Sequence, residues 1–550
     1  MTRECHVQFC ERPRAKFPGP THPCVRPIQA ADGAGLRNGA GPLGMASPEG
    51  SEQDDQELGP GSESISDPVF GTGSLSAFVV LMTPGNAVRA DPVEEREASL
   101  YRIVHVKHGG ILKPESVSTK QERIAELARS NPAMALTTLA HHIDYEWVKY
   151  AYDCTRKDGA VGVDGQTGED YAANLEQNLT SLIDRLKSGS YRAPPVRRHY
   201  IDKADGSGQR GLGIPSFEDK VAQRAIVLLL EPIYEVDFSD SSYGYRRGRS
   251  AHDALQAIRS GITKNGGRWV LDVDVRKFFD SISHAKLREF LARRVTDGVV
   301  RKLIDKWLKA GVMEGGQLSF SETGAPQGGV ASPLLSNVFL HYVLDEWFSN
   351  EVQPRLRGPS TLVRFADDFV MLFAYKDDAQ RVLEVLGKRL GKYGLELHPD
   401  KTTMVDFRYK PKSAKDEDGK VLATSFNFLG FMHVWVKSRK GWPIPGQLTA
   451  KDRLARAKKA INQQCRAMRH WSVRDQHQTL CRMLKGHFAY FGISGNSKRI
   501  GGLRFHAAYC WRKWLSRRSS KSSIPWTAFK EILKRFPLPQ ARLVHCYTNK

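Results

Sequence analysis

The sequence predicts an α+β core that follows an unstructured tail and precedes a basic helical domain. Three observations carry this. Strand-like and helix-like segments alternate from about residue 117 to about residue 445, which marks a mixed core. In the last fifth of the chain only the helical period remains, with apolar residues every three or four positions. Residues 1–81 show neither period and are rich in Gly, Pro and Ser.

Taken in order, the tail contains stretches such as ADGAGLRNGAGPLG and SEQDDQELGPGSES, and carries 6 basic against 10 acidic residues. Such composition offers too little apolar surface to offset the entropy of ordering. Met82 is a candidate alternative start, and residues 82–116 read as a linker. Order is expected from Val117, where STKQERIAELARSNPAMALTTLAHHI reads as helical, and the first ordered segment runs to residue 265. A second segment, 266–445, holds the acidic motifs. The third, 446–550, has apolar series at Leu454, Ala457, Ile461, Cys465 and Met468, at Leu480, Leu484, Phe488 and Phe491, and at Leu503, Ala507, Trp511 and Trp514. Each series gives one apolar helix face. Thr449 and Asp452 have capping-box spacing for the first of these helices. The expectation is a small helical domain on its own core with a cationic outer surface.

The formal charge of +22 lies almost wholly in that third segment, where 23 Lys and Arg face three acids, Asp452, Asp475 and Glu531. A surface this cationic repels itself unless a polyanion lies nearby, which favours nucleic acid over a membrane surface. The eight cysteines are scattered, without a Cys-x-x-Cys pair, and read as reduced packing thiols rather than a zinc site or disulfide frame. The longest apolar run, SAFVVLM at 76–82, is too short to span a bilayer, and the N-terminus has no secretion signal; a cytoplasmic protein with no membrane partner is expected.

Chemistry is suggested by acidic residues in strand contexts. RFADDFVMLF (364–373) sets Asp367 and Asp368 between two apolar runs. Alone it reads as an ordinary Asp-containing hairpin turn. Ninety-three residues before Asp367, RWVLDVDVRKFFDSI places Trp269, Leu271 and Val273 on one face of an extended strand and Val270, Asp272 and Asp274 on the other. A carboxylate front needs a cation before it. Asp272 alone could be a solvated strand residue; Asp274 is harder to dismiss, because it ends the strand just before Phe278, Phe279 and Asp280. Between the two acidic segments, GAPQGGVASPLLSN (324–337) suggests a tight backbone that approaches something closely, then a helix from Ser332 and Pro333.

In this order the motifs resemble a reverse transcriptase of the group II intron type, also called an intron-encoded maturase. DVRKFFD (274–280) resembles the first catalytic strand, PQGG (326–329) the nucleotide-facing loop and FADD (365–368) the acidic hairpin. GLELHPDKT (394–402) and FNFLGF (426–431) resemble the two following blocks. GVDGQT (162–167), YIDKADGSGQRGLGIP (200–215) and SSYGYRRGRSAHDAL (241–255) resemble fingers segments; LKGHFAYFGI, CWRKWLSRRS and FPLP resemble the thumb, or domain X. The likeness covers roughly 117–545. It implies a right-hand polymerase: fingers, a palm of antiparallel sheet plus helices, and an α-helical thumb.

The resemblance implies RNA-directed DNA polymerisation with two Mg²⁺ ions held by Asp274, Asp367 and Asp368. Two divalent ions about 3.5 to 4 Å apart stabilise charge on the attacking and leaving oxygens of phosphoryl transfer, and hard ions favour carboxylates. It further implies that Phe279 lies under the incoming sugar and selects deoxynucleotides, that Gln327 touches the nucleotide, and that Lys203 and Arg210 clamp the triphosphate, unless those two are simply solvated cations. Lys401 either serves near the primer terminus or caps a palm helix. Implied partners are an RNA template, intron RNA, a DNA primer or target and deoxynucleoside triphosphates; a second copy of the chain is a further candidate. Asp202 and Gly211 stand where the family commonly has prolines. No Cys/His-rich nuclease pattern follows the thumb-like region, so cutting of a second target strand is not expected. Two other readings are a domesticated reverse transcriptase in phage defence, separable by genome context, and a splicing factor that no longer polymerises. Retention of the three carboxylates, which repel one another without ions, argues against the latter.

Overall fold

The computed structural model describes residues 114–202, 208–320, 322–324, 327–409, 424–438, 440–519 and 523–546. The expected tail and nearly all of the linker, as well as Lys203, therefore lie outside the described residues.

Helices α1 (Glu115–Ser130), α2 (Tyr145–Asp153), α3 (Gly168–Ala173), α4 (Leu175–Ser188) and α5 (Phe217–Asp237) open the described chain. The first is shorter than its sequence suggests. Pro132 cannot continue a helix and restrains Asn131 before it, and Leu136 bridges to Val295 instead. Asp144, Thr167 and Ser216 each accept a hydrogen bond from a backbone amide in the first turn of the helix they precede. Helix α5 is apolar around most of its circumference, and Val221, Ala225, Leu229 and Ile233 make it the central rod of one core.

Three sheets occur among the described residues. The first has the order β2-β1-β4-β5, built from β1 (Val196–Asp202), β2 (Gln209–Ile214), β4 (Val312–Glu314) and β5 (Gln317–Ser319). The β1–β2 ladder runs from Arg197↔Ile214 to Asp202↔Gln209, so Asp202 and Gly211 both occupy paired positions, where proline could not donate to the ladder. The central sheet has the order β6-β7-β3-β8 and is antiparallel throughout: β3 (Trp269–Val273), β6 (Ser360–Phe365), β7 (Asp368–Phe373) and β8 (Thr403–Asp406). The third joins β9 (Phe426–Phe428), β10 (Phe431–Lys437) and β11 (Pro443–Thr449). Leu429 and Gly430, at φ 50° and 75°, form its two-residue turn.

The alternation read from WVLDVDV holds. Leu271 and Val273 enter the core around α5, whereas Val270 enters a second core on the opposite face of the central sheet. That second core corrects one expectation. Helices α12 (Lys451–Ala467), α13 (Val473–Phe491) and α14 (Ser497–Leu515) do present Ala457, Ile461, Cys465, Leu480, Leu484, Leu503 and Trp511 inward, but this apolar face is continuous with Val363, Phe365, Val370 and Leu372 of the sheet and with α6 (Ala251–Thr263). The helical region therefore does not pack on a core of its own. An apolar helix stripe has to be covered by another element, and here the back of the central sheet takes part in covering it.

The expected capping box is also overturned. Thr449 is the fully buried last residue of β11, and Ala450 takes the cap position without a side-chain bond. Asn496 takes the polar groups of Thr449: its Oδ1 accepts from the Thr449 amide at 3.1 Å and its Nδ2 donates to the hydroxyl at 2.8 Å. Among the described cysteines, Cys154, Cys465 and Cys510 are buried, and all are free. No described helix is long and apolar enough to cross a membrane.

Candidate active site

Two antiparallel registers bring the acidic motifs together. In the β3–β7 ladder Val273 faces Phe369, which sets Asp274, one residue on, beside Asp368 at the same end of the sheet. In the β6–β7 ladder Phe365 pairs with Asp368, leaving Ala366 and Asp367 as a two-residue turn. Ala366 adopts φ 59°, a conformation that costs a side-chain-bearing residue about 1 kcal/mol or more. Two of the other described non-glycine residues at positive φ, Tyr245 and Lys277, flank the same region. Strain of this kind persists only where the surroundings over-determine it.

The electrostatics arise from this crowding. Burial pushes the Asp367 carboxyl upward and Asp274 adds to the rise, while Arg210 and Arg364 oppose it. Asp368 is held well above the carboxylate range by burial and by Asp272, Asp367 and Asp274, against the pull of Arg453. Asp272, read from the sequence as a bystander, is raised to about 7 by burial and by Asp274. It is a fourth member of the acidic group. Asp274 has a close cation, Lys401 Nζ at 3.2 Å from Oδ2, while its carbonyl accepts from the His398 amide at 2.8 Å. Lys401 thus sits in the turn before β8, paired with an acid.

Like charges packed together with this little compensation favour a bound cation, and four carboxylates are a hard oxygen donor set that suits a divalent ion. The residues fit that role chemically. Among the described residues no three His, Cys, Asp or Glu side chains already converge at ligating distance. Asp274, turned to Lys401, would have to exchange that partner.

Between about 3.8 and about 7 the folded protein keeps a proton on Asp272 that the unfolded chain releases, so rising pH costs stability across that window. Asp272→Asn is expected to raise the stability of the metal-free protein at pH 8 by up to about 4 kcal/mol and to change it little near pH 4. Thermal melts at both values check this; an equal effect at the two pH values would contradict it.

Of the other sequence-predicted residues, Arg210, Gln327 and Phe279 are among the described ones. Arg210, exposed on β2, lies within electrostatic reach of Asp367 and of the half-buried Tyr245. Gln327 is half-buried, and its carbonyl accepts from the Gly213 amide of β2 at 2.7 Å. Gly328, at φ 117°, lies so near that a Cβ would stand 2.5 Å from the Gly213 oxygen, so this loop needs its glycine. Behind it, Gln223 accepts from the Ala331 amide at 3.1 Å and donates to Asp219 at 2.9 Å. Gly324 donates to the Ile282 carbonyl at 2.8 Å, which joins the front of the loop to the segment that carries Phe279. Phe279 is half-buried, edge-on to Phe278 with centroids 5.3 Å apart. Helix α10 (Ser332–Leu340) then starts with Pro333 in its first turn, as expected.

Missed from the sequence were Asp272, Tyr245 and Arg453. For Asp272 the signal was present, since it shares a strand face with Asp274. Arg453 comes from α12, brought over the central sheet by the shared core, and nothing local announces it.

A strained acidic hairpin beside an acidic strand end, on an antiparallel sheet flanked by helices, defines a nucleic-acid polymerase palm. Residues 201–433 match the family described as reverse transcriptase (RNA-dependent DNA polymerase). Protein YkfC of Escherichia coli is 34% identical over 329 residues, covering 52% of this chain and 84% of that one. Group II intron-encoded protein LtrA of Lactococcus lactis is 37% identical over 224 residues, 40% of this chain and 37% of that one. An uncharacterized 91 kDa protein in the cob intron of Schizosaccharomyces pombe is 40% identical over 172 residues, 31% of this chain and 21% of that one. The chain belongs to the reverse transcriptases of the group II intron-encoded, maturase-related family. It spans little more than a third of LtrA.

Proposed function

We propose that this protein copies RNA into DNA by nucleotidyl transfer with two Mg²⁺ ions, and that it binds intron RNA to assist splicing and mobility. The observation that carries the reading is the β3–β7 register, which sets Asp274 beside Asp368 and next to the Asp367 turn.

Asp274 and Asp367 would hold the ions, with Asp368 in support and Asp272 behind. When bound, the ions supply charge stabilisation at the attacking and leaving oxygens of the transferred phosphoryl group. Phe279 would present its ring beneath the incoming sugar, where a 2′-hydroxyl meets the ring. Gln327 would orient the nucleotide from the glycine loop. Arg210 and Lys203 would bind the triphosphate, the first as a planar fork and the second as a point charge. Lys401 pairs with Asp274 in the metal-free protein, the partner Asp274 would give up to hold an ion. The cationic helices would track phosphates of template, primer and intron RNA.

The test is primer extension. Purified protein with Mg²⁺, deoxynucleoside triphosphates, an RNA template and a DNA primer is expected to lengthen the primer, and EDTA to stop it. Extension that continues in EDTA, or none in Mg²⁺, would defeat the reading.

A further inference from the structure

Beneath the acidic turn lies a charged network that the reaction does not itself use. Arg364 and Asp345 are both fully buried. The Arg364 guanidinium donates from Nε to Asp345 Oδ1 at 2.8 Å and from Nη2 to Oδ2 at 2.5 Å. Its Nη1 donates to Asn337 Oδ1 at 2.9 Å and to the Ala366 carbonyl at 3.0 Å. Asn337, also fully buried, donates in turn to the Gly244 carbonyl at 2.7 Å. A Cβ on Gly244 would collide with the Ala366 nitrogen, so the 241–245 loop lies directly on the turn.

A buried ion pair is a poor way to gain stability, because desolvation consumes most of the Coulombic attraction and apolar residues of similar volume do as well or better. Something other than stability has to account for a guanidinium here. Its fourth hydrogen bond supplies the reason. By holding the Ala366 carbonyl it fixes the orientation of the peptide plane between Ala366 and Asp367 against the strain of φ 59° at Ala366. Asp345 reaches it from a π-helical turn, His341–Asp345, that continues α10; such turns insert an extra residue and so rotate the side chains beyond them to a new direction.

We propose that Arg364, anchored by Asp345 and Asn337, is a positioning residue that sets the direction of the Asp367 carboxylate and ties the turn to the Gly244–Tyr245 loop. It touches no substrate, and the proposal rests on the reading of Asp367 as a metal ligand. Lysine cannot replace it, since one ammonium cannot span a carboxylate, an amide and a carbonyl in one plane.

The test compares wild type with Asn337→Ala and Arg364→Lys. A displacement of the order of 1 Å at a reacting centre costs up to about 100-fold in rate; about tenfold in kcat is expected for Asn337→Ala and about 100-fold for Arg364→Lys. The Mg²⁺ concentration for half-maximal extension is expected to rise about tenfold or more in both, in the range of lost supporting contacts to a metal ligand. Template–primer affinity should stay within about twofold, as no phosphate contact is altered. Should Arg364→Lys fail to fold, Asn337→Ala, which keeps the ion pair, decides. Unchanged kcat and Mg²⁺ dependence in the folded variant, or a loss that follows only the folded fraction, would overturn the proposal. Mn²⁺ binding measured by calorimetry separates this from the polymerase reading. If wild type extends no primer, that reading falls, and weaker Mn²⁺ binding by Asn337→Ala still supports the clamp, whereas equal binding overturns it. Wild type that binds no Mn²⁺ overturns both.

Discussion

Replacing Asp367 by alanine is expected to reduce primer extension by at least about 10³-fold, because losing several kcal/mol of charge stabilisation at the transferred phosphoryl group costs a factor of ten per 1.36 kcal/mol. RNA binding should be nearly unaffected. The substitution should not unfold the protein either. Burial and the neighbouring acid disfavour the charged form of Asp367, so its removal relieves repulsion in the metal-free state. A thermal melt beside the kinetics makes the comparison clean. An Asp367→Ala protein that still extends primers at more than about a tenth of the wild-type rate would mean that the turn is structural and the chemistry lies elsewhere.

The second large effect is on RNA affinity. Raising monovalent salt from about 50 to about 200 mM is expected to weaken binding by about 10³-fold or more, the loss that accompanies release of counterions from six or more phosphates. The 23 Lys and Arg of residues 446–550 face only three acids. Two of those acids, Asp452 and Glu531, are partnered by Arg453, Arg456 and Lys534, so internal pairing neutralises little of the excess. Filter binding or fluorescence anisotropy across that range gives the slope directly. A flat response would remove phosphate contact as the role of this surface and leave shape or base stacking, for which the exposed Phe505 and Tyr509 of α14 are available.

How far the sequence could be read differs from one residue to the next. The alternation in WVLDVDV and the threefold and fourfold spacing of the C-terminal apolar residues were legible because both reflect the period of a single element, whatever packs on it. Helix α10 was legible from Pro333 for the same reason. Thr449 was misread because its hydroxyl suits a helix cap as well as a strand end; the choice depended on Asn496, 47 residues away in the chain. The core of the helical region was misread because an apolar face shows that something will cover it and never what. In the candidate site, Asp274, Asp367 and Asp368 stood out in motifs of recognisable order, whereas Asp272 looked solvated, and its burial beside Asp274 came only with the folded chain.

The sequence by itself determined which elements form, which faces are apolar, where the positive charge lies and which acidic residues sit at strand ends. Those are properties of near neighbours along the chain. Only the tertiary structure decided that Asp274 stands beside Asp368, that Lys401 neutralises it, and that the thumb-like helices share a core with the sheet. Only there does Arg364 reach under the acidic turn with Asp345 and Asn337 to hold it. Register, ion pairing and buried hydrogen bonds join residues tens to hundreds of positions apart, and their energies depend on distances and burial that exist only once the chain has closed on itself.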